Sequence, residues 1–135
     1  MSKYDTFQTV FDKAVTNGRQ AMVQAQPTPM VVQGHANPLD DNSKVTKRWY
    51  VPQGVCGFAW VHVSPGNCSF ARWLVKHKFA RKSYQGGVDI WVHGGGQSME
   101  LKQAYAKAMA ETLRLHKSEL EIPANGHIYQ QSRID

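Results

Sequence analysis

The sequence predicts an α/β or α+β fold: one small sheet of about four strands with helices packed on it, in the order α-β-β-α-β-α-β. Segments whose apolar residues recur every three or four positions alternate with short apolar runs, as expected for helices between strands. Clusters of proline and glycine separate these segments. The chain has 135 residues, of which 41% are hydrophobic, so we expect a single domain over residues 1–135 with a core that needs no disulfides.

The first segment, residues 4–25, has the spacing of an amphipathic helix. Its predicted apolar face contains Tyr4, Phe7, Phe11, Ala14, Gly18 and Met22. Gly18 has low helix propensity and weakens the middle of this helix, which allows a break there. Pro27 and Pro29 end the helix, and residues 30–32 then predict a short strand.

Residues 34–47 form a long polar loop, and loops of this length in small domains often have a function. Within it, residues 40–43 read DDNS and offer oxygen ligands for a divalent ion. They lack the spacing, the glycine and the terminal glutamate of a calcium-binding loop, so no metal site is predicted. A strand begins at residues 48–51, and the sequence PQG at 52–54 interrupts it.

Residues 56–63, CGFAWVHV, are a second clear strand. Its alternation places Cys56, Phe58, Trp60 and His62 on one side, and Gly57, Ala59, Val61 and Val63 on the other. Both sides are mostly apolar, which indicates a central strand with helices covering the sheet.

A second helix is predicted from a cap at Asn67 or Ser69 to about Lys78. Its apolar face contains Phe70, Trp73, Leu74 and His77. Residues 88–92 then predict a short buried strand.

The last helix is predicted over residues 98–117, and a final strand over residues 127–134. The expected buried stripe of the helix contains Leu101, Ala104, Tyr105, Ala108, Thr112 and Leu115. Met109 and Leu113 lie beside this stripe.

The positive charge is concentrated in the middle of the chain. Residues 42–88 contain eight of the 16 Lys and Arg and none of the 10 Asp and Glu. A confined field of one sign attracts polyanions, although the same charge also serves solubility on a solvated face.

Cations interleaved with aromatic residues form the first candidate site, for nucleic acid or phosphate. Its predicted residues are Arg72, Lys76, Lys78, Arg81, Lys82 and Tyr84. Cations of this kind hold phosphates, and exposed rings stack on bases. Trp73 lies on the apolar face and is predicted to be core, whereas Phe79 and Tyr84 are the better surface candidates.

A glycine turn between a strand and a helix is the second candidate. It consists of His93, Gly94, Gly95, Gly96, Gln97 and Ser98. Bare backbone at a helix start can bind an anion such as a nucleotide phosphate. The alternative is a plain turn in which Ser98 only caps the helix, and the motif matches neither common glycine-rich phosphate loop.

Metal and catalytic chemistry receive less support. The thiols and imidazoles of Cys56, His62, Cys68 and His77 are possible zinc ligands, but their spacing fits no finger or ribbon pattern. Buried thiols are the favoured interpretation, and no cofactor is predicted. The side chains of His62, Asp89, His93 and Ser98 suit acid–base or nucleophilic work, yet no nucleophile-elbow motif is present. The sequence therefore favours a binding protein over an enzyme.

Several motifs of this sequence resemble those of a family of small bacteriophage and prophage proteins. They are FAWV, FARWL, the GQS turn and AYAKA, with MVVQ and LDDNS upstream and SRID at the end. The resemblance covers most of the chain after residue 29 and implies a phage-associated origin, without an established activity.

The resulting hypothesis is a phage accessory protein that binds DNA or RNA through its basic central segment. One alternative is a nucleotide-binding protein that uses the 93–98 turn. Another is a structural protein of the virus particle, with further copies of the chain or other virion proteins as partners. The start MSKYDTFQ has no signal-peptide core, and no apolar run is long enough for a bilayer. We therefore expect it in the host cytoplasm or the virus particle, not secreted and without a membrane partner.

Overall fold

The computed structural model describes residues 2–25, 30–35, 45–51, 56–93 and 98–134. These residues form three helices and six strands. In chain order the elements are α1 (Lys3–Gln24), β1 (Met30–His35), β2 (Val45–Val51), β3 (Gly57–Ser64), α2 (Ser69–Lys76), β4 (Arg81–Lys82), β5 (Val88–Trp91), α3 (Met99–Leu115) and β6 (His127–Ile134). The predicted small sheet with helices packed on it is confirmed, and the fold is α+β.

The main sheet has four antiparallel strands in the order β4-β5-β3-β6. Two strands more than predicted are present, because β2 and β3 are separate and because β4 follows α2. β1 and β2 form their own antiparallel pair, with Met30 opposite Val51. Of the predicted polar loop, residues 34–35 and 45–47 belong to this pair, while residues 36–44 lie outside the described residues.

The central position predicted for β3 is confirmed, since it lies between β5 and β6. Its alternation is also as predicted. Ala59, Val61 and Val63 are buried in the core with the helices, whereas Phe58 and Trp60 on the opposite side are only half-buried. The two sides of the sheet therefore have different environments.

A capping box starts α1. The Ser2 hydroxyl accepts the Asp5 backbone N–H at 3.3 Å, and the Asp5 carboxylate accepts the Ser2 N–H at 3.3 Å. The buried face contains Phe7, Phe11 and Ala14 as predicted. Tyr4, at the first turn, is instead 55% exposed.

The helix predicted over residues 4–25 is confirmed, and the break that Gly18 allows does not occur, because α1 continues to Gln24. Gly18 faces the ring of Tyr105 on α3, and a Cβ at this position would lie 2.9 Å from the Tyr105 Cδ1 atom. The cost of glycine in a helix is about 1 kcal/mol, and here the close packing of α1 on α3 offsets it.

α2 is shorter than predicted and ends at Lys76. Lys78 has φ 64°, a left-handed conformation that does not continue a helix. The N-cap is Cys68, between the two predicted caps, and its side chain makes no capping hydrogen bond. His77, predicted on the apolar face, is exposed, whereas Trp73 is buried in the core as expected.

The buried face of α3 is rotated relative to the predicted stripe. It contains Lys102, Tyr105, Ala106, Met109, Ala110, Thr112 and Leu113. Leu115 is 84% exposed, and Leu101 is half-buried. Alanines on several sides of this helix made two neighbouring faces equally plausible from spacing alone.

The environment of Tyr105 makes stability depend on pH. Burial raises the pKa of its phenol above the ordinary value of 10.0, and the nearby Arg19 guanidinium partly opposes this rise. Folding therefore favours the neutral phenol of Tyr105. The stability gained from this preference is fully present below pH 10 and is lost as pH rises through the folded-state pKa.

We expect Tyr105→Phe to remove this part of the alkaline loss of stability. Urea denaturation of both proteins at about pH 9 and about pH 11 measures it, and the wild-type protein should lose more stability than the variant. An equal loss in the two proteins would assign the alkaline sensitivity to other groups.

Candidate functional site

A groove between α2 and the turn joining β4 to β5 contains three of the predicted cations. Arg72 and Lys76 lie one turn apart on the exposed side of α2, and Lys82 reaches the groove from β4. We call this hollow, of about 470 Å³, the basic groove. Its lining residues are Gly66, Arg72, Val75, Lys76, Lys82, Ser83, Gly86, Gly87 and Val88. The described residues on its walls include no carboxylate.

Glycines form one side of the basic groove. Gly86 and Gly87 have φ 86° and 72°, which the turn between β4 and β5 requires. A Cβ on Gly66 would lie 3.2 Å from the Gly87 Cα atom, so the two turns are in close contact. Because these residues have no side chains, a phosphate can approach their backbone directly.

The groove cations are free of ion pairs within the described part of the chain. The close contacts found there between basic and acidic side chains are the Lys3–Glu121 ion pair at 4.0 Å and the hydrogen-bonded pairs His62–Asp89 at 2.7 Å and His116–Glu119 at 3.0 Å. Arg72, Lys76 and Lys82 belong to none of them and are all exposed. Their charges are therefore available to an anion.

The remaining members of the predicted basic cluster lie elsewhere. Arg81 precedes Lys82 in β4 and is opposite Asp89, so strand alternation places it on the other side of the sheet. Tyr84 is fully exposed at the β4–β5 turn. Lys78 lies beside Phe79 in a hollow between α1 and α3. The sequence suggested one cluster, and the structure divides it among three places.

The side of the sheet away from the core carries a row of aromatic residues. Trp60 of β3 is opposite Trp91 of β5, with ring centroids 4.6 Å apart and a 33° angle between the planes. Phe58 meets Trp91 edge to face at 6.3 Å. We call this surface the aromatic face. Its hollow, of about 430 Å³, is lined by Trp60, Arg81, Lys82, Ser83, Tyr84, Gln85, Asp89, Trp91, Gln131 and Arg133.

Neighbouring polar groups fix the rings of the aromatic face. The Trp60 indole Nε1 donates a hydrogen bond to the Gln131 side-chain oxygen at 2.9 Å. The Phe58 ring has the Lys102 Nζ atom 5.1 Å from its centroid and the Arg133 guanidinium carbon at 5.5 Å. These cation–π contacts hold Arg133 beside the rings.

The basic groove and the aromatic face meet at the edge strand β4. Lys82 and Ser83 line both hollows. The sequence did not single out Trp60, Trp91 or Arg133 as site residues. Strand alternation was a signal for Trp60, but its register with Trp91 is a contact between distant parts of the chain.

His62 and Asp89 form a close pair between β3 and β5. The His62 Nδ1–H donates to the Asp89 carboxylate at 2.7 Å, and the two side chains are 6% and 14% exposed. Two of the four residues proposed for acid–base work are thus adjacent. Ser98 and His93 are not with them: among the described residues, no serine or cysteine side chain is hydrogen-bonded to His62. The pair joins two strands, and its hydrogen bond occupies one oxygen of the carboxylate on the aromatic face.

Only the two ends of the predicted 93–98 anion turn can be described, since residues 94–97 lie outside the described residues. Ser98 is fully buried, and its hydroxyl accepts the Leu101 N–H at 3.3 Å as the N-cap of α3. Its side chain therefore has no surface for a ligand. His93 is exposed and lines the hollow that also contains Lys78.

Within the described ranges, no three His, Cys, Asp or Glu side chains lie close enough together to hold a metal ion. Cys56 is an exposed free thiol, while Cys68 is a buried one.

In the part of the chain that the structure describes, every helix is too short or too polar to cross a bilayer. The chain has no match among protein-family profiles, curated proteins or solved structures.

Proposed function

We propose that this chain binds nucleic acid and holds its phosphates in the basic groove, as an accessory protein of bacteriophage origin. The observation that carries the proposal is the set of three exposed, unpaired cations around a groove whose described walls have no carboxylate. Glycine backbone on one side of the groove lets a phosphate approach closely.

The net charge of +6 supports the same function at longer range. Phosphates carry a condensed layer of counterions, and lysine or arginine that replaces them releases those ions into solution. The groove cations come from two elements, α2 and β4, so they can contact successive phosphates of one strand. Binding of this kind is strongly dependent on salt.

The two alternatives from the sequence predict other behaviour. A nucleotide-binding protein would bind a mononucleotide as tightly as a long oligonucleotide, and a thermal-shift screen would show its ligand. A structural protein of the virus particle would be present at many copies in purified particles. The groove favours nucleic acid because it is open and its lining includes three cations from two elements, α2 and β4.

The test is the variant Lys76→Gln/Lys82→Gln, which removes two groove charges without adding bulk. We expect the affinity for a labelled oligonucleotide to fall about tenfold in low salt. We also expect the slope of log K against log salt to become shallower by about 1.4, at about 0.7 per lost contact with a single strand. Fluorescence anisotropy across a salt series measures both.

The matched control is Lys13→Gln/Lys107→Gln, which makes the same change in net charge at two exposed positions on α1 and α3 outside the groove. It should leave the slope nearly unchanged, because distant charges are screened. Equal losses in the two variants would mean that net charge and not the groove governs binding, and the proposal would be wrong.

A further inference from the structure

We infer that the nucleic acid is single-stranded, and that its bases stack on the aromatic face while its phosphates occupy the basic groove. This inference rests on the proposed function and adds the class of substrate. It depends on the arrangement of Trp60, Trp91 and Tyr84 beside the cations of β4 and β6.

The rings of the aromatic face are available to a ligand. Trp60 and Trp91 are half-buried and line the hollow, and Tyr84 at its rim is fully exposed. The structure holds the tryptophans in place through the Gln131 hydrogen bond and the tilted contact between the two rings. Rigid rings of this kind lose little entropy when a base stacks on them.

The charges around the rings select a polyanion as the occupant. Arg81, Lys82 and Arg133 surround the hollow, and among the described residues that line it the only carboxylate is Asp89. That carboxylate already accepts a hydrogen bond from His62 at 2.7 Å. An apolar protein partner would bury these cations without compensation, whereas phosphates flanking stacked bases would pair with them.

The two hollows provide one continuous path. Lys82 and Ser83 line both, so a strand whose phosphates lie in the groove can cross β4 and bring its next bases to the rings. β4 has only two residues, which makes this edge of the sheet narrow. A duplex cannot use the path, because its bases are already stacked on each other.

The test compares oligothymidylate and oligouridylate of about 15 nucleotides with a duplex of the same length, since single-strand sites of small domains reach about 16 nucleotides. We expect the single strands to bind about tenfold more tightly than the duplex at the same salt concentration. Their binding should also quench tryptophan fluorescence, because a stacked base quenches indole emission. The difference between the two single strands shows whether the 2′-hydroxyl contributes.

Two variants test whether the bases stack on Tyr84 and Trp91. Tyr84→Ala removes a fully exposed ring, and Trp91→Leu keeps an apolar side chain but removes the indole. Each should weaken single-strand binding about tenfold and leave duplex binding unchanged. Leu115→Ala, which shortens an apolar side chain that is 84% exposed at the end of α3, is the control and should have no effect. Urea denaturation confirms that each variant is folded.

The other outcomes are distinct. Equal affinity for single strand and duplex, with both variants unaffected, would overturn this inference and leave the groove proposal standing. Absence of binding to any nucleic acid in low salt would overturn the proposed function itself. If Trp91→Leu changes sedimentation but not oligonucleotide binding, the aromatic face is a contact between copies of the chain, and the inference is wrong.

Discussion

Replacing Gly87 with alanine should lower the free energy of unfolding by about 3 kcal/mol, because two separate costs add. Gly87 has φ 72°, and a side chain in this left-handed region costs about 1–2 kcal/mol. A Cβ there would also lie 2.6 Å from the Val63 carbonyl oxygen and 2.8 Å from the His62 Nε2 atom. Overpacking against such atoms costs a further amount of about 1–3 kcal/mol, which is similar to the cost of the left-handed conformation.

Gly86→Ala is the control, because the neighbouring glycine shares the conformation but not the crowding. Gly86 has φ 86°, and a Cβ there would have nothing within 4 Å. Its alanine variant should lose only about 1 kcal/mol, the cost of the left-handed conformation. Urea denaturation of the two variants measures the difference, and equal losses would show that crowding at His62 contributes nothing.

The same pair of variants tests how the groove is built. Gly86 and Gly87 both line it, but only Gly87 contacts the end of β3. An alanine at Gly87 has to displace the turn that carries Lys82 and Ser83. We therefore expect Gly87→Ala to weaken oligonucleotide binding beyond its effect on folding, and more than Gly86→Ala does, since the latter adds a methyl group to the groove wall without moving the turn.

Local patterning was sufficient to predict much of the fold. The alternation of residues 56–63 correctly identified a central strand and both of its sides. Local patterning does not predict features that depend on a contact between residues distant in sequence. Gly18 has the low propensity of a helix breaker, but its contact with Tyr105 on α3 explains why the helix continues.

The site was less predictable for the same reason. Composition locates the cations, but the sequence places Arg81 and Lys82 beyond the end of the second helix and predicts no strand there, so their alternation is not expected. A strand of two residues has too little periodicity to be recognised. Once β4 pairs with β5, Lys82 is directed to the groove and Arg81 to the aromatic face. Pairing with β5 also brings Trp91 beside Trp60, and no local pattern shows this.

The two candidate surfaces depend on how α2 and the sheet are held by α1. Phe7 of α1 is fully buried and meets Phe70 and Trp73 of α2 edge to face, at 5.4 and 6.0 Å. Phe11 adds a contact with Trp73 at 6.0 Å. These rings fix α2 on the core, and Arg72 and Lys76 lie on the opposite side of the same helix.

Phe7→Ala should therefore lower the free energy of unfolding by about 3–5 kcal/mol, the usual cost of truncating a buried phenylalanine. Tyr4→Ala, one turn earlier and 55% exposed, is the matched control and should cost about 1 kcal/mol or less. Urea denaturation with an unchanged m-value isolates stability from changes in the unfolded state. If Phe7→Ala cost no more than Tyr4→Ala, α1 would not be anchoring α2, and the position of the groove cations would need another explanation.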